Sequence, residues 1–384
     1  EPLHFLVGGS TGVGKSQLIR SFLRVISARD ERAIMADVGG DLMASHMFRG
    51  DLLLNPHDSR SRIWSPFCEM RSILDADRIA ASMLPAAEGE SGEWHRYSQS
   101  LIAAVLQRLY ECGDATNERL LYYLTIAKTE EIEALVAGHP AQTLFDAGAA
   151  KMLSSVRGII GSYLPAYRFL PANAGRDDFS ISEWVVEASG GWLWLPYQDR
   201  DAVALRPLLA AWIGEAVSAV LSLWPDPNRR IWLVLDEVGS LGLVGSLIDA
   251  LSRGRKFGLC AVLGLQSISQ LRAVYGHEGA TTLLSCLRNS VVYAVDDPDT
   301  ADYMSRRLGD VEQERWDETI SDRNKSETSR RATSRVVLPS QIMSLPNLSA
   351  YLSLAGDYPV VRVSIPIVPS QQHVSPFIHS TDRR

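Results

Sequence analysis

The sequence predicts an α/β fold in which a mostly parallel sheet is interrupted by an all-α insertion. Three observations lead to this prediction. The phosphate-loop pattern G-x-x-x-x-G-K-[ST] occupies residues 9–16, between a strand-like apolar run and a helical pattern. A second apolar run ends in Asp236 and Glu237. Between the two, residues 67–176 carry apolar residues at helical spacing.

Strand-like runs lie on both sides of the helical stretch. They are residues 3–7, 32–37, 51–56, 191–197, 229–237, 259–266 and 290–295. Helical patterns alternate with these runs, and the longest of them covers residues 205–223. Such alternation predicts a parallel α/β sheet.

The middle of the chain carries helical signals only. The predicted helices are residues 75–84, 94–112, 117–128, 129–137 and 149–163. Loop-like segments separate the first two helices at residues 85–92 and the next two at residues 113–116. This stretch therefore predicts an all-α insertion.

The last part of the chain changes character twice. Residues 310–335 are polar and mixed in charge, which predicts an exposed arm or hairpin. Residues 350–355 and 360–367 predict two closing strands, paired as a hairpin at the sheet edge. From Pro369 the chain is polar, and we expect the tail to be loosely attached.

Composition excludes several classes of protein. The 384 residues suffice for two or three domains, and 46% hydrophobic with 22% charged residues is usual for a soluble globular chain. A net charge of −7 means that a nucleic acid would have to meet a local basic surface. Four widely spaced cysteines argue against a disulfide framework or a zinc site. Residues 205–224 come closest to a transmembrane span, but Arg206, Pro207 and Glu215 interrupt them.

Phosphate binding explains each residue type in the phosphate loop. Its glycines let successive N–H groups turn toward phosphate oxygens, and the following helix adds the positive end of its dipole. The predicted nucleotide-binding residues are Gly9, Ser10, Thr11, Gly12, Val13, Gly14, Lys15 and Ser16. Lys15 would reach the β- and γ-phosphates, and the Ser16 hydroxyl would ligate Mg²⁺.

Two strand ends supply candidate hydrolytic groups. Asp236 would hold Mg²⁺ through a water molecule, and Glu237 would orient the attacking water. Gln266 ends the next predicted strand, so in a parallel sheet it faces the same ligand edge. At that edge, the Gln266 side chain could sense whether a γ-phosphate is bound by forming a hydrogen bond to it.

Arg255 has two interpretations. It could be an arginine finger that enters a neighbouring subunit's site and offsets transition-state charge. Alternatively, the cations of residues 253–256 satisfy a helix C-terminus. Arg288 is a weaker candidate for the same catalytic role.

Several short motifs lie along the chain. They are residues 37–41 (DVGGD), 93–94 (EW), 205–208 (LRPL), 254–256 (GRK), 264–270 (GLQSISQ) and 274–276 (VYG). Together they resemble the type IV secretion coupling proteins of bacterial conjugation, the TraD/TraG-like group. The phosphate loop is unspecific, whereas residues 254–256 followed by 264–270 are distinctive. The resemblance runs from the first residue to about Ile367.

The resemblance implies an architecture and an activity. A RecA-like nucleotide-binding domain would comprise residues 1–66 and 177–384, with a membrane-distal all-α domain at residues 67–176. Six copies would form a ring around a channel and hydrolyse ATP with Mg²⁺ in a DNA-dependent manner. The ring would link the relaxase–DNA complex to the secretion channel at the cytoplasmic face of the inner membrane. The family carries N-terminal transmembrane helices, so the chain would be the cytosolic part of such a protein or a divergent member.

The resemblance also assigns roles to residues. Lys15, Ser16, Asp236, Glu237 and Gln266 would act at the nucleotide. Arg255 would act across the subunit boundary, which favours the first interpretation given above for this residue.

Candidate DNA contacts are less distinctive. A channel needs cations that neutralise phosphates of single- or double-stranded DNA. The candidates are Arg272, Arg323, Lys325, Arg330, Arg331 and Arg335. A solvated run of charges explains any one of them equally well.

The main hypothesis is an ATP-driven DNA translocase of the conjugative coupling type. A double-stranded DNA pump of the segregation or packaging type is an alternative with the same core, although the helical insertion favours the coupling protein. A second alternative is a docking receptor that uses ATP as an assembly switch and binds the relaxase through its helical part.

Overall fold

A computed structural model describes residues 3–86, 91–146, 148–187, 190–321 and 324–379. The strands in chain order are β1 (Phe5–Gly8), β2 (Arg32–Val38), β3 (Leu52–Leu53), β4 (Leu193–Tyr197), β5 (Ile231–Leu235), β6 (Leu259–Leu265), β7 (Asn289–Val292), β8 (Asp310–Ser321), β9 (Asn324–Arg335), β10 (Ser349–Ser353) and β11 (Val361–Ser364). The helices are α1 (Lys15–Ala28), α2 (Asp41–His46), α3 (Ala76–Met83), α4 (Ser91–Glu111), α5 (Asn117–Leu121), α6 (Thr129–Leu135), α7 (Ala150–Tyr163), α8 (Ile181–Glu187), α9 (Asp199–Ser222), α10 (Leu247–Arg253), α11 (Ile268–Cys286), α12 (Pro298–Leu308) and α13 (Pro339–Met343).

A nine-stranded sheet forms the centre, in the order β11-β10-β7-β1-β6-β5-β2-β4-β3. The seven strands from β7 to β3 pair in parallel. Strands β10 and β11 extend the β7 edge as an antiparallel hairpin. The predicted mostly parallel α/β class and the closing hairpin are therefore confirmed. Every residue of β4, β6 and β7 is buried, as expected where helices cover both faces of a sheet.

Two hydrophobic clusters divide the side chains of the sheet by face. Along β5, Leu233 and Leu235 join the cluster that contains α9 and the inserted helices. Val234 joins the cluster that contains Ile19 and Leu23 of α1. This alternation follows the period of two of a strand and fixes which face receives the phosphate-loop helix.

Between β3 and β4 the described residues form helices α3–α8. The predicted helix at residues 117–128 is α5 followed by a π-helical turn at Tyr122–Ile126. The side chains of these helices share one hydrophobic cluster with α9 and the sheet. The helical region is therefore attached to the sheet through buried apolar contacts.

Helix α9 is the central support of the helical region. By length and composition it is the one described helix that could cross a membrane, but 72% of its most apolar window is buried within the fold. Burial on nearly all sides explains why the predicted helix is apolar around its whole circumference. It is thus a core helix of this structure.

Two further predictions concern the C-terminal part of the chain, and one of them is confirmed and the other is wrong. Residues 310–321 and 324–335 pair as the antiparallel strands β8 and β9, in agreement with the hairpin, one of the two predicted forms. The described part of the tail, residues 370–379, is held by hydrogen bonds and is therefore not loosely attached as predicted. Asp58, which is fully buried, accepts a hydrogen bond from the backbone N–H of Ile378 at 3.0 Å. Arg60 donates to the carbonyl of Ser375 at 2.8 Å, so the tail is tied to residues far away in the chain.

Hydrogen bonds to one buried carboxylate, that of Glu69, hold the inserted helices in place. The carboxylate of Glu69 accepts hydrogen bonds from the backbone N–H of Ile181 at 2.7 Å and of Ser182 at 3.0 Å. The indole N–H of Trp64 donates to the same carboxylate at 2.8 Å. A carboxylate at these N–H groups stabilises the start of α8.

An ion pair next to Glu69 joins α3 to α9. Arg78 of α3 donates to the carboxylate of Glu215, which is only 1% exposed, and to the carbonyl of Glu69 at 3.1 Å. Burial raises the pKa of Glu215 to about 7, although Arg78 favours the charged form. The pair therefore places a charged group inside the apolar contact between the helical region and the sheet.

Arg78→Ala should destabilise the fold more at pH 8 than at pH 5.5. The raised pKa means that folded Glu215 binds a proton more tightly than unfolded Glu215, so its contribution to stability falls as pH rises through about 7. Without Arg78 the charged carboxylate loses its partner, and we expect a loss of about 2–3 kcal/mol at pH 8 and about 1 kcal/mol at pH 5.5. Urea unfolding measures both values.

The matched control is Arg306→Ala, which removes an exposed i,i+4 pair with Asp302. It should cost less than about 0.5 kcal/mol at either pH. Equal losses for Arg78→Ala at the two pH values would contradict a buried, titrating partner.

Candidate nucleotide-binding site

The predicted site residues meet in a cleft of about 600 Å³ at the carboxyl edge of the sheet. Its lining comes from the ends of β1, β2, β5 and β6 and from the first turns of α9 and α11. Among the lining residues are Thr11, Gly12, Lys15, Ser16, Asp236, Glu237 and Gln266. The carboxyl edge of a parallel sheet is where α/β proteins bind ligands. The structure thus brings these residues together, and their chemical roles remain predictions.

The phosphate loop needs its glycines for two different reasons. Gly12 and Gly14 have φ of 79° and 113°, a region that other residues rarely adopt. Gly9 has a neighbour too close for a side chain, because a Cβ would lie 2.7 Å from Cβ of Tyr293. Helix α1 begins at Lys15 directly after Gly14, so its free N–H groups face the cleft.

Lys15 is held over the loop from which it emerges. Its ammonium group donates to the carbonyl oxygens of Gly9 at 2.5 Å and Ser10 at 3.1 Å. Burial lowers the pKa of Lys15, while Glu237 and Asp236 act in the opposite direction. A buried ammonium group beside a loop of N–H groups is suited to an anionic phosphate.

The two carboxylates lie opposite this cation. Burial raises the pKa of Asp236 above its usual value, and the charge of Lys15 offsets part of this rise. Burial also raises the pKa of Glu237 to about 7, while Lys15 and the amides of Gly239 and Gln266 lower it. Both carboxylate oxygens of Glu237 are buried without a well-aligned hydrogen bond from the described residues.

These groups fit a magnesium ion bound together with phosphates. Mg²⁺ prefers hard oxygen ligands and keeps several waters, so one or two protein oxygens suffice. The exposed hydroxyl of Ser16 and the carboxylate of Asp236 line the same cleft, and Glu237 has buried oxygens available for a water. Within the described ranges no group of three His, Cys, Asp or Glu residues could hold a metal without such help.

Gly264 allows the carboxyl ends of β5 and β6 to approach each other closely. A Cβ on Gly264 would lie 1.7 Å from the carbonyl oxygen of Asp236, which no side chain can do without moving the backbone. The adjoining Gln266 reaches the phosphate loop, where the Thr11 hydroxyl donates to its Oε1 at 3.3 Å. Gln266 is therefore placed between the carboxylates and the loop.

Residues that carried no role in the sequence reasoning also line the cleft. Arg206 on α9 does so, and its Nε donates to the carbonyl of Ser240 at 2.8 Å. The Ser240 hydroxyl meets the Tyr197 hydroxyl at 2.6 Å and donates to the carbonyl of Glu237 at 2.9 Å. The sequence could have indicated that Arg206 lies near the cleft, because α9 begins directly after the carboxyl end of β4.

Arg255 does not lie in this cleft. It belongs to the turn Gly254–Phe257, which precedes β6 at the amino edge of the sheet. The seven residues of β6 separate this turn from Gln266, a distance of about 20 Å at ~3.3 Å per residue. Arg288, the weaker candidate, is exposed just before β7 and lies at the same amino edge. Neither arginine can serve the nucleotide cleft of its own chain in this arrangement.

Most of the described candidate DNA contacts lie on β9. Arg331 and Arg335 pair across the hairpin with Glu314 at 3.5 Å and Asp310 at 2.8 Å. Arg272 is half-buried on α11, Lys325 and Arg330 fall on β9, and Arg323 lies outside the described residues. Among the described residues, the candidates therefore lie on two separate elements, α11 and β9.

The fold and the cleft together define a protein of the P-loop NTPase fold with an added helical region. The family model for the type IV secretion-system coupling protein DNA-binding domain matches residues 1–366. The chain therefore belongs to the family of type IV secretion-system coupling proteins.

Relatives agree with this assignment. The chain is 26% identical to coupling protein TraD of Escherichia coli K12 over 374 residues, which covers 94% of this chain and 52% of TraD. It thus spans about half the length of that relative. Among solved structures, the unbound bacterial conjugative coupling protein TrwBdeltaN70 matches with a TM-score of 0.91 and 36% identity, covering 98% of this chain and 88% of that one. TrwB in complex with ADP and Mg²⁺ matches with a TM-score of 0.89 and 35% identity at the same coverage.

Gly264→Ala should damage the site more than it damages the fold elsewhere. The added methyl group must push the carbonyl of Asp236 away, so if the cleft hydrolyses a nucleotide, its turnover should fall by at least about tenfold, because reacting groups lose efficiency when displaced by about 1 Å. Steady-state phosphate release measures this effect. The control is Gly158→Ala on α7, where a Cβ meets nothing within 4 Å. Unchanged turnover in Gly264→Ala would contradict the steric requirement.

Proposed function

We propose that this chain is the nucleotide-hydrolysing part of a conjugative coupling protein that drives DNA toward a type IV secretion channel. The observation that carries the proposal is the meeting of Lys15, Asp236, Glu237 and Gln266 in one cleft, with Arg255 at the opposite edge of the sheet. Membership of the coupling protein family supports the biological setting. The solved TrwB complex with ADP and Mg²⁺ supports ATP and Mg²⁺ as the ligands.

The cleft supplies the parts that phosphoryl transfer to water requires. Lys15 and the N–H groups at the start of α1 hold the phosphates and offset their charge. Ser16 and, through water, Asp236 would hold Mg²⁺, which supplies Lewis-acid stabilisation of phosphate charge when bound. Glu237 accepts a hydrogen bond from a water and aligns it with the γ-phosphate, and the products are ADP and phosphate.

Arg255 completes the site of a neighbouring copy. Because the amino edge of one subunit carries Arg255 and the carboxyl edge carries the cleft, the contact between copies joins two different surfaces. Repetition of such a head-to-tail contact closes a ring when the rotation per contact is a simple fraction of a turn, and a rotation of about 60° would give a homohexamer around a DNA channel. Gln266, which contacts both the phosphate loop and the strand end, would signal the nucleotide state across this contact.

The remaining assignments belong to the same proposal. Residues 1–66 and 177–384 form the RecA-like domain, and residues 67–176 form an all-α domain that meets the relaxase–DNA complex. The ring lies at the cytoplasmic face of the bacterial inner membrane and contacts secretion channel proteins. Hydrolysis depends on DNA, which passes through the ring.

The pH profile of ATP hydrolysis should report Glu237. The base acts as a carboxylate, and the pKa of about 7 in the free protein means that acid inactivates it. We expect kcat/KM for ATP to rise about tenfold from pH 6 to pH 8, as for one essential ionisation.

Glu237→Gln should lower kcat by about 10²–10⁴-fold and should retain ATP binding. Lys15→Ala should instead lose both binding and turnover. A pH-independent kcat/KM, or full activity in Glu237→Gln, would contradict the assignment of Glu237 as the base.

The rate of hydrolysis per protein should depend on protein concentration. Since Arg255 reaches only a neighbour's cleft, the specific activity of the wild type should rise steeply until the ring forms. Arg255→Ala should reduce kcat by about 10³-fold or more, the usual effect of losing an arginine finger. Arg288→Ala is the matched variant, because Arg288 lies at the same edge. If Arg288→Ala abolished turnover while Arg255→Ala retained it, the roles of the two arginines would be exchanged.

A further inference from the structure

A tryptophan stands exposed beside the turn that carries Arg255. Trp224 follows α9 and begins the loop that leads into β5, at the amino edge of the sheet. Its side chain is 87% exposed, the largest exposure among the large hydrophobic residues that the structure describes. Tryptophan is highly buried on average, and it is enriched among the residues that anchor protein–protein interfaces.

The loop around Trp224 is held in one conformation. The guanidinium of Arg229 donates to the carbonyl of Trp224 at 2.7 Å. The backbone N–H of Asp226 donates to the carbonyl of Lys256 at 3.1 Å, so the loop is fastened to the Arg255 turn itself. Pro225 and Pro227 restrict the backbone further. Trp224 and Arg255 are therefore displayed on one rigid unit, which lowers the entropy cost of binding.

The residues that follow Trp224 in its loop border a basic cleft. Arg230, Arg253, Arg255 and Lys256 line a cleft of about 790 Å³ together with Pro225 and Pro227. Asp226 and Asp249 offset only part of this charge. The surface combines one large aromatic side chain with several cations, the composition typical of interface hot spots.

The opposite edge of the same chain carries the complementary charge. The exposed carboxylates of Asp41, Asp199 and Asp296 follow the carboxyl ends of β2, β4 and β7. Of the cations that line the cleft, Lys15 is buried and Arg206 is exposed. A basic surface at one edge and an acidic surface at the other attract each other between copies of the chain. Because the two edges lie on opposite ends of the strands, this attraction selects a head-to-tail contact.

We propose that Trp224 and the surrounding basic residues are the surface that docks onto the carboxyl edge of a second copy of this chain. Trp224 anchors the contact, and its rigid link to the Arg255 turn determines how far Arg255 enters the neighbour's cleft. The inference rests on the proposed function, since it gives the structural means by which Arg255 acts between subunits.

Trp224→Ala should shift the concentration dependence of ATP hydrolysis. Loss of an anchoring tryptophan typically weakens association by about 30-fold or more, so half-maximal specific activity should require about 30-fold more protein. Activity at saturating protein should approach that of the wild type, because the cleft and Arg255 remain intact. Trp224→Phe should keep most of the association. Leu74→Ala, at a residue that is also highly exposed but lies in the helical region, is the matched control and should shift nothing.

A mixing experiment tests the direction of the contact. Trp224→Ala has an intact cleft and a damaged docking surface, whereas Lys15→Ala has the reverse. Mixed at a concentration where each alone is nearly inactive, the two should hydrolyse ATP several-fold faster than the sum of their separate rates. The double variant Trp224→Ala/Lys15→Ala should rescue neither partner. Recovery on mixing also shows that Trp224→Ala is folded.

Three outcomes would overturn the inference. The first is a wild-type concentration dependence in Trp224→Ala, and the second is the absence of recovery on mixing. The third is weaker binding of a labelled single-stranded oligonucleotide with unchanged concentration dependence, which would assign Trp224 to base stacking. Failure of the proposed function looks different, because the wild type would then hydrolyse ATP independently of protein concentration and of Arg255.

Discussion

The close approach of two strand ends at Gly264 is the constraint on which the site depends. The backbone of β6 passes so near the carbonyl of Asp236 that a side chain at this point cannot fit. This approach lets Asp236 and Glu237 share a cleft with Gln266, and it lets Gln266 reach Thr11 of the phosphate loop. Burial of the carboxylates then follows, and with it the raised pKa of Glu237. Steric fit between backbones thereby sets the chemistry of the cleft.

The polarity of a parallel sheet has a second consequence. All loops that follow β1, β5 and β6 meet at one edge, whereas the Arg255 turn precedes β6 and lies at the other. The carboxylates gather at the first edge and a group of cations at the second, where Trp224 is displayed. Under the proposed function, one chain would therefore supply the cleft at one edge and Arg255 at the other, and a neighbouring copy would bring the two together.

Much of this arrangement could be predicted from the sequence. Apolar runs and helical spacing predicted the parallel sheet, the inserted helices and the closing hairpin, because these patterns depend on local periodicity. The phosphate loop, Asp236, Glu237 and Gln266 were found from motifs and strand ends. The tail after Pro369 was predicted wrongly, since its attachment depends on Asp58, more than 300 residues earlier. Arg206 was given no role, because its place in the cleft depends on how α9 crosses the sheet.

The sequence by itself determined the elements and the chemical types of the functional groups. Periodicity, glycine spacing and the order of strands are local properties, and they suffice to place a phosphate loop and two carboxylates at one edge of a sheet. Only the tertiary structure decided which groups touch: the Gly264–Asp236 contact, the burial that raises the pKa of Glu237, and the separation of Arg255 from its own cleft. These depend on distances between strands and on desolvation, which arise when distant segments pack together.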